Sequence, residues 1–292
     1  MNKLFVFVLG LMLTSSAFAQ NNILNAKDPN EIGKKTASQT ENDNDTPLPY
    51  GFIGDRDVLW SRTTWEKIDL DERVNFPLYY PIDTNYVGKE RRALFHVIAA
   101  AARNGGEIDL YSDSYFNEKR EFADIETSLS RVDTSDYGIE QFNAEGRVDA
   151  EYITKTSIGA DNVSAYNVRG LWYLDTRQGE MRYRILGIAP VTPDVNFMDD
   201  PKGIELFWIY YPDVRELLHN AKAFNTLNSA KPISFDHILN SRRFSGVIYK
   251  MDNVHGDRKI EAYIADNSMM QLLESERLKD IVRNKEIDMW NY

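Results

Sequence analysis

The chain has 292 residues, with 45 Asp and Glu against 34 Lys and Arg, a formal charge of −11 and no Cys. That charge repels phosphate backbones and argues against nucleic acid as a partner, while the lack of Cys removes disulfide staples and thiol chemistry together. Stability must come from an ordinary hydrophobic core, which a chain of this length can bury.

The opening "MNKLFVFVLGLMLTSSAFAQ" sets Lys3 before an apolar run from Leu4 to Leu13 and closes on Ala17-Phe18-Ala19. This is the layout of a secretory signal peptide over residues 1–19, cleaved after Ala19. The apolar run is too short to span a bilayer, and no later stretch approaches about 20 uninterrupted apolar residues. No Cys follows the signal for acylation, so the expectation is a protein released beyond the inner membrane, in a periplasm or outside the cell. Residues 20–50 are polar and charged, with Ile23, Leu24 and Ile32 the only large aliphatic side chains before Leu48. Such a segment cannot offset its own ordering entropy; it reads as a flexible leader, with a solvated tail and a partner-binding arm both open.

Order is expected from about Tyr50. "DRDVLWSRTTWEKIDLDERVNF" places Val58, Trp60, Trp65, Ile68 and Leu70 among charges with neither period clean, and the expectation is a helix. Arg56, Trp60 and Trp65 are the candidate partner-interface residues, since Trp and Arg are enriched at binding hot spots. The alternative, two Trp anchoring a core, stands beside it.

"FPLYYP" (76–81) returns as "FWIYYP" (207–212). After each comes a helical stretch carrying Phe and His (Phe95 and His96, then Phe235 and His237), a Gly (Gly106, then Gly246) and a short strand. The pattern reads as a degenerate duplication giving two α+β halves, 51–160 and 161–292. Coincidence of an aromatic strand with a Pro-started helix is the competing account. Within the first copy, Leu94, Phe95, Ile98, Ala101 and Ala102 recur at helical spacing, stopped by Gly105-Gly106 before a strand from Ile108 to Tyr111. Residues 112–160 are poorly patterned, with Leu129 and Val132 assigned to one short helix.

"AYNVRGLWYLDTRQGEMRYRILGIAPV" (165–191) is the clearest hairpin, two β-rich runs around a polar turn with Gly179. Arg169, Arg182 and Arg184 are expected on its solvated face. A helix is expected from Asp213 to Ala223. A last helix carries the stripe Met269, Leu272, Leu273, Leu278 and Ile281, capped by Asp266 or Ser268.

Known chemical signatures are absent from the sequence. His96, His219, His237 and His255 are scattered without metal-ligand spacing, and His96 and His237 sit at matching places that point to a structural role. No nucleophile elbow, phosphate loop or dinucleotide fingerprint occurs, and "GDRD" (54–57) reads as a solvated cluster. No catalytic, cofactor-binding or metal residue is expected, and no cofactor. The 16 Tyr, 14 Phe and 5 Trp could line a glycan groove or populate protein interfaces, with most, including Tyr79, Trp208 and Tyr210, in the core.

Taken together, "DVLWSRTTWEKIDLDERVNFPLYYP" (57–81), "RYRILGIAPV" (182–191), "ELFWIYYPDVRELL" (205–218), "FDHILNSRRFSGVIYKMDN" (235–253) and the closing "DMWNY" resemble the GldN/PorN family of the Bacteroidetes type IX secretion system. The resemblance runs in order through most of the chain after Asp57, is weak over 112–165 and is missing before Tyr50. It implies a periplasmic, non-enzymatic ring subunit that self-associates, joins the outer-membrane lipoprotein GldK/PorK and contacts the inner-membrane motor component GldM/PorM. Such a machine supports protein export and gliding motility. Two other classes remain beside it: a periplasmic glycan- or peptide-binding module using the aromatic residues, and an unrecognised hydrolase.

Overall fold

Long runs of β-branched and aromatic residues pair into one sheet, and the helical stretches fold against it. The computed structural model describes residues 28, 41, 45–85, 87–88, 91–104, 108–196, 203–228 and 232–290. The expected signal peptide, most of the expected leader, the Gly105-Gly106 stop and the final Asn-Tyr lie outside the described residues. Pro47–Tyr292 forms one unit and Met1–Thr46 another, the latter described only at 28, 41, 45 and 46.

The strands are β1 (Val58–Asp69), β2 (Leu110–Tyr111), β3 (Lys119–Arg120), β4 (Ser130–Thr134), β5 (Ile153–Ser157), β6 (Ala165–Asp175), β7 (Glu180–Thr192), β8 (Ile204–Glu205), β9 (Trp208–Tyr210), β10 (Lys222–Ala223), β11 (Ile233–Ser234) and β12 (Val247–Met251). The helices are α1 (Phe76–Tyr79), α2 (Leu94–Arg103), α3 (Phe122–Leu129), α4 (Asp136–Glu145), α5 (Tyr211–Asn220), α6 (Phe235–Asn240), α7 (Ile260–Tyr263) and α8 (Ser268–Trp290). The fold is α+β, as expected. An eight-stranded sheet runs in the order β12-β1-β6-β7-β9-β2-β3, with β8 also on β7, and every pairing in it is antiparallel. Hairpins β4–β5 and β10–β11 stand apart from it.

The stretch expected to be a helix, 55–76, is mostly strand β1. β1 lies between β6 and β12, and Thr64, Trp65 and Glu66 are buried in succession because both faces of the strand are covered. A strand covered on both faces loses the alternation that would reveal it; its Val, Thr, Ile and Trp content was the remaining signal. β1 also joins the two proposed halves, since β6 and β12 both belong to the second.

The repeated hexapeptides differ in structure. Phe76–Tyr79 is one helical turn with Pro77 at its start, followed by a cis Tyr80–Pro81 bond. In the second copy Trp208–Tyr210 is a strand and Tyr211 begins α5, with Pro212 in the first turn where its missing N–H costs nothing. What recurs is the later helix-then-strand order, and even there β2 and β12 lie toward opposite ends of the sheet.

α2 appears where its apolar spacing placed it, with Leu94, Phe95, Ile98, Ala101 and Ala102 all buried. Together with α5 and α6 it covers one face of the sheet, forming the main core with Ile68, Tyr166, Val168, Ile185 and Ile188. Residues 112–160 hold β3, α3, β4, α4 and β5 rather than a single short helix: Leu129 ends α3, whereas Val132 lies on the fully exposed β4. α8 packs on β12 through Leu278 and Val282, and its cap is Asn267, whose Oδ1 accepts from the Met270 N–H at 3.0 Å. Neither Asp266 nor Ser268 takes that role, Asp266 being held at φ 54.

Candidate functional site

Residues paired across strands share a face of the sheet, so register assigns the chemistry of each side. On the helix-covered face, Asp236 of α6 is 5% exposed and fully engaged. Arg215 donates to it from Nε (3.0 Å) and Nη2 (3.3 Å), the Tyr211 hydroxyl at 2.9 Å and Asn240 Nδ2 at 2.7 Å. Burial, then the neighbouring Asp236 carboxylate, hold the Tyr211 phenol far above its usual range. Tyr50 closes this network from the N-terminal side: its hydroxyl donates to Asn240 Oδ1 at 2.9 Å, and its ring lies 4.1 Å from the Arg215 guanidinium and 4.5 Å from that of Arg184. A second buried pair joins Glu66 to Arg242 in a fork of 3.1 and 2.8 Å. The Arg242 guanidinium lies 4.2 Å from the Tyr183 ring, and Tyr183 in turn fills the space over Gly170, where a Cβ would sit 2.1 Å from the phenolic oxygen.

On the other face a single row crosses five strands: Lys250, Trp65, Arg169, Gly187 and Tyr210. Gly187 leaves a gap that Phe116 enters, reaching within 2.6 Å of where a Cβ would be. Phe116 does so from a turn at φ 63, built by Asp113 accepting from the N–H groups of Tyr115 and Asn117. Arg169 is enclosed by the rings of Trp65 (5.2 Å), Tyr115 (5.0 Å) and Phe116 (5.8 Å) and donates to the Ser114 carbonyl at 2.6 Å. Burial lowers the basicity of this guanidinium. Lys250 Nζ lies 4.1 Å from the Trp65 ring and donates to the Tyr115 hydroxyl (2.8 Å), which donates to Asp257 (2.7 Å). Burial and that last hydrogen bond push the Tyr115 phenol up to about 12. Cations held over aromatic faces and cut off from water stabilise such a layer.

In these networks the charges face a counter-charge, a ring or a carbonyl, while Trp65 Nε1 and Arg169 Nε are buried without a hydrogen-bond partner. Arg169 was expected in solvent and is instead sandwiched; Arg182 is exposed as expected, and Arg184 is half-buried against Tyr50 and Tyr173. The candidate interface residues do not form one patch. Trp65 is 1% exposed and belongs to a core with Ala189 and Trp208; Trp60 is half-buried beside the residues that hold α8. Only Arg56 is open to solvent, in the short turn Asp55–Asp57. Of the Tyr and Trp assigned to the core, Trp208 is fully buried and Tyr79 and Tyr210 are half-buried. The four His lie on α2, α5, α6 and the β12–α7 connection, and among the described residues no group of three or more His, Asp or Glu could hold a metal ion. No described helix is long and apolar enough to cross a membrane.

Several large apolar side chains are exposed among the described residues, and two groups of them lie on elements that sequence reasoning did not name as sites. On the small module of β4, β5 and α4, Val132, Tyr137, Ile139 and Phe142 are each at least half exposed. Ser135 caps α4, and Gly138 lets the helix sit against Thr134 and Tyr152, so the larger apolar residues are left outward. On α8, Met269, Leu272 and Leu273 share one side at three- and four-residue spacing and are exposed, while Ser275, Leu278 and Val282 are buried on the other. The expected stripe is thus split, its first three members facing solvent and Leu278 and Ile281 packed.

No curated protein matches the chain. Residues 53–291 match the family described as gliding motility associated protein GldN, and the chain therefore belongs to the GldN family.

Proposed function

We propose that this protein is a structural, non-enzymatic subunit of the periplasmic ring of the type IX secretion system, supporting protein export and gliding. Membership of a gliding motility family supports the general role. The observation that carries the finer reading is the pair of unlike apolar surfaces, one on β4 and α4, the other on α8. Head-to-tail contacts that close into a ring need two different patches on every subunit, and apolar patches of this kind mark interaction sites. In this reading the protein is periplasmic and is held at the outer membrane by the lipoprotein GldK/PorK, with GldM/PorM reaching it from the inner membrane. The test is light scattering after gel filtration on residues 20–292, alone and with the co-encoded lipoprotein freed of its acyl chains. A stable co-complex of megadalton scale is expected; a monomer indifferent to that lipoprotein would refute the reading.

A further inference from the structure

A cleft of about 710 Å³ lies on the face opposite the main helices, between the start of α8 and the cross-strand row Val247–Lys67–Asn167. Its floor is built around an unmet hydrogen bond. Asn167 is 7% exposed and donates from Nδ2 to Glu205 Oε1 at 2.7 Å, while its Oδ1 has no partner. Glu205 cannot supply the missing donor, because a carboxylate only accepts, and its other oxygen accepts from Trp208 Nε1 at 2.8 Å. A buried acceptor without a donor is costly and marks a place where a ligand can supply one.

The charges of the cleft point the same way. Lys67 and Lys259 line it, and neither forms an ion pair among the described residues. Both carboxylates beside them are engaged, Glu205 as above and Glu261 with a partner of its own. In the smaller cleft, of about 440 Å³, Arg62 is paired with Asp252 and Arg277 with Glu274, while Arg258 donates to the Ala262 carbonyl. A third feature is the backbone. Val247, Ile248 and Tyr249 line the larger cleft in succession on β12, the end strand of the sheet, whose one described pairing on its outer side is the Lys250–Lys259 bridge. An open strand edge offers unpaired N–H and C=O groups.

We propose that this cleft binds an extended acidic peptide segment of a partner protein. Such a segment brings a backbone N–H to Asn167 Oδ1, carboxylates to Lys67 and Lys259 and aliphatic surface to Leu272, and its backbone can pair with the β12 edge where it enters. The inference does not rest on the ring reading, since a monomer can be titrated.

The experiment is calorimetric titration of residues 20–292 with acetyl-Val-Glu-Val-Glu-Val-amide, with its neutral counterpart acetyl-Val-Gln-Val-Gln-Val-amide, and with chitobiose. Saturable binding of the acidic peptide is expected, weakened about tenfold both in the neutral peptide and in the double variant Lys67→Gln/Lys259→Gln, as two exposed ion pairs are lost. Both lysines reach solvent, so the double variant should keep the parent melting temperature, and Leu272→Glu should weaken the acidic peptide further by repulsion. Equal affinity for the two peptides, unchanged binding in the lysine variant, no saturation at millimolar peptide, or binding of chitobiose alone would each overturn the proposal.

Discussion

Replacing Arg242 with Met removes the cation that neutralises Glu66 in the interior. Glu66 is 1% exposed, and its remaining described donor is the Thr64 hydroxyl at 3.3 Å. Loss of one partner of a buried ion pair costs about 3–5 kcal/mol, and the 29% exposure of the Arg242 side chain places this case near the lower bound. The guanidinium also lies 4.2 Å from the Tyr183 ring and 4.9 Å from the Trp172 ring, contacts together worth about 1 kcal/mol. Arg242→Met should therefore destabilise by about 3–4 kcal/mol. Glu66→Gln in the same chain removes the stranded charge, so the double variant should recover much of that loss. A double-mutant cycle in urea should return a coupling of about 2 kcal/mol or more. A single-variant loss under about 1 kcal/mol, or a coupling near zero, would refute the claim that Arg242 neutralises a buried Glu66.

Further outcomes follow from the opposite face and from α8. A Cβ at Gly187 would meet the Phe116 ring at 2.6 Å, so Gly187→Val should expel the ring and cost about 1–3 kcal/mol, read as a lower melting temperature. The Tyr115 phenol, pushed up to about 12 by burial and Asp257, should ionise well above the ordinary phenol range near 10. An ultraviolet titration of the parent against Tyr115→Phe reports this directly. Because the folded state retains that proton, the stability Tyr115 contributes is complete below the ordinary phenol range near 10 and is lost as pH rises towards about 12. Asp257 acts with the opposite sign. Burial alone would raise it, but hydrogen bonds from Tyr115 and the Asn253 N–H, with Lys250 and Arg169 nearby, hold it below the usual carboxylate range. Its contribution is therefore present at neutral pH and lost as pH falls below about 4. Asn267→Ala should cost about 1 kcal/mol and speed amide exchange in the first turn of α8.

Where helical spacing or a pair of β-rich runs around a polar turn is plain, the fold was legible in the sequence. α2 showed its five buried residues at helical spacing, and the β6–β7 hairpin announced itself by two β-rich runs around Asp175 to Glu180. β1 was misread because Trp65 and Glu66 are both buried, one on each face, which erases alternation. The fate of the paired hexapeptides was not legible locally either: neighbours decide whether Phe-x-x-Tyr-Tyr-Pro becomes a helical turn or a strand entering a helix. The enclosure of Arg169 depends on Phe116 arriving from a loop about 50 residues away in the chain, a contact that no local pattern encodes. The exposed apolar surfaces were hidden for a related reason. The residues of the α8 stripe read alike in sequence, and only the position of β12 determines which of them is covered.

The central claim is that the surfaces on α4 and α8 are the head and tail of a ring contact. The direct test mixes two variants, Ile139→Glu/Phe142→Glu and Met269→Glu/Leu273→Glu, and measures mass by light scattering. Each alone should stay monomeric with a near-parental melting temperature, because the altered side chains are solvent-facing. Mixed, each retains the surface the other lacks, and the prediction is a one-to-one dimer that grows no further. Two variants that still assemble like the parent, or that stay monomeric when mixed, would contradict the account.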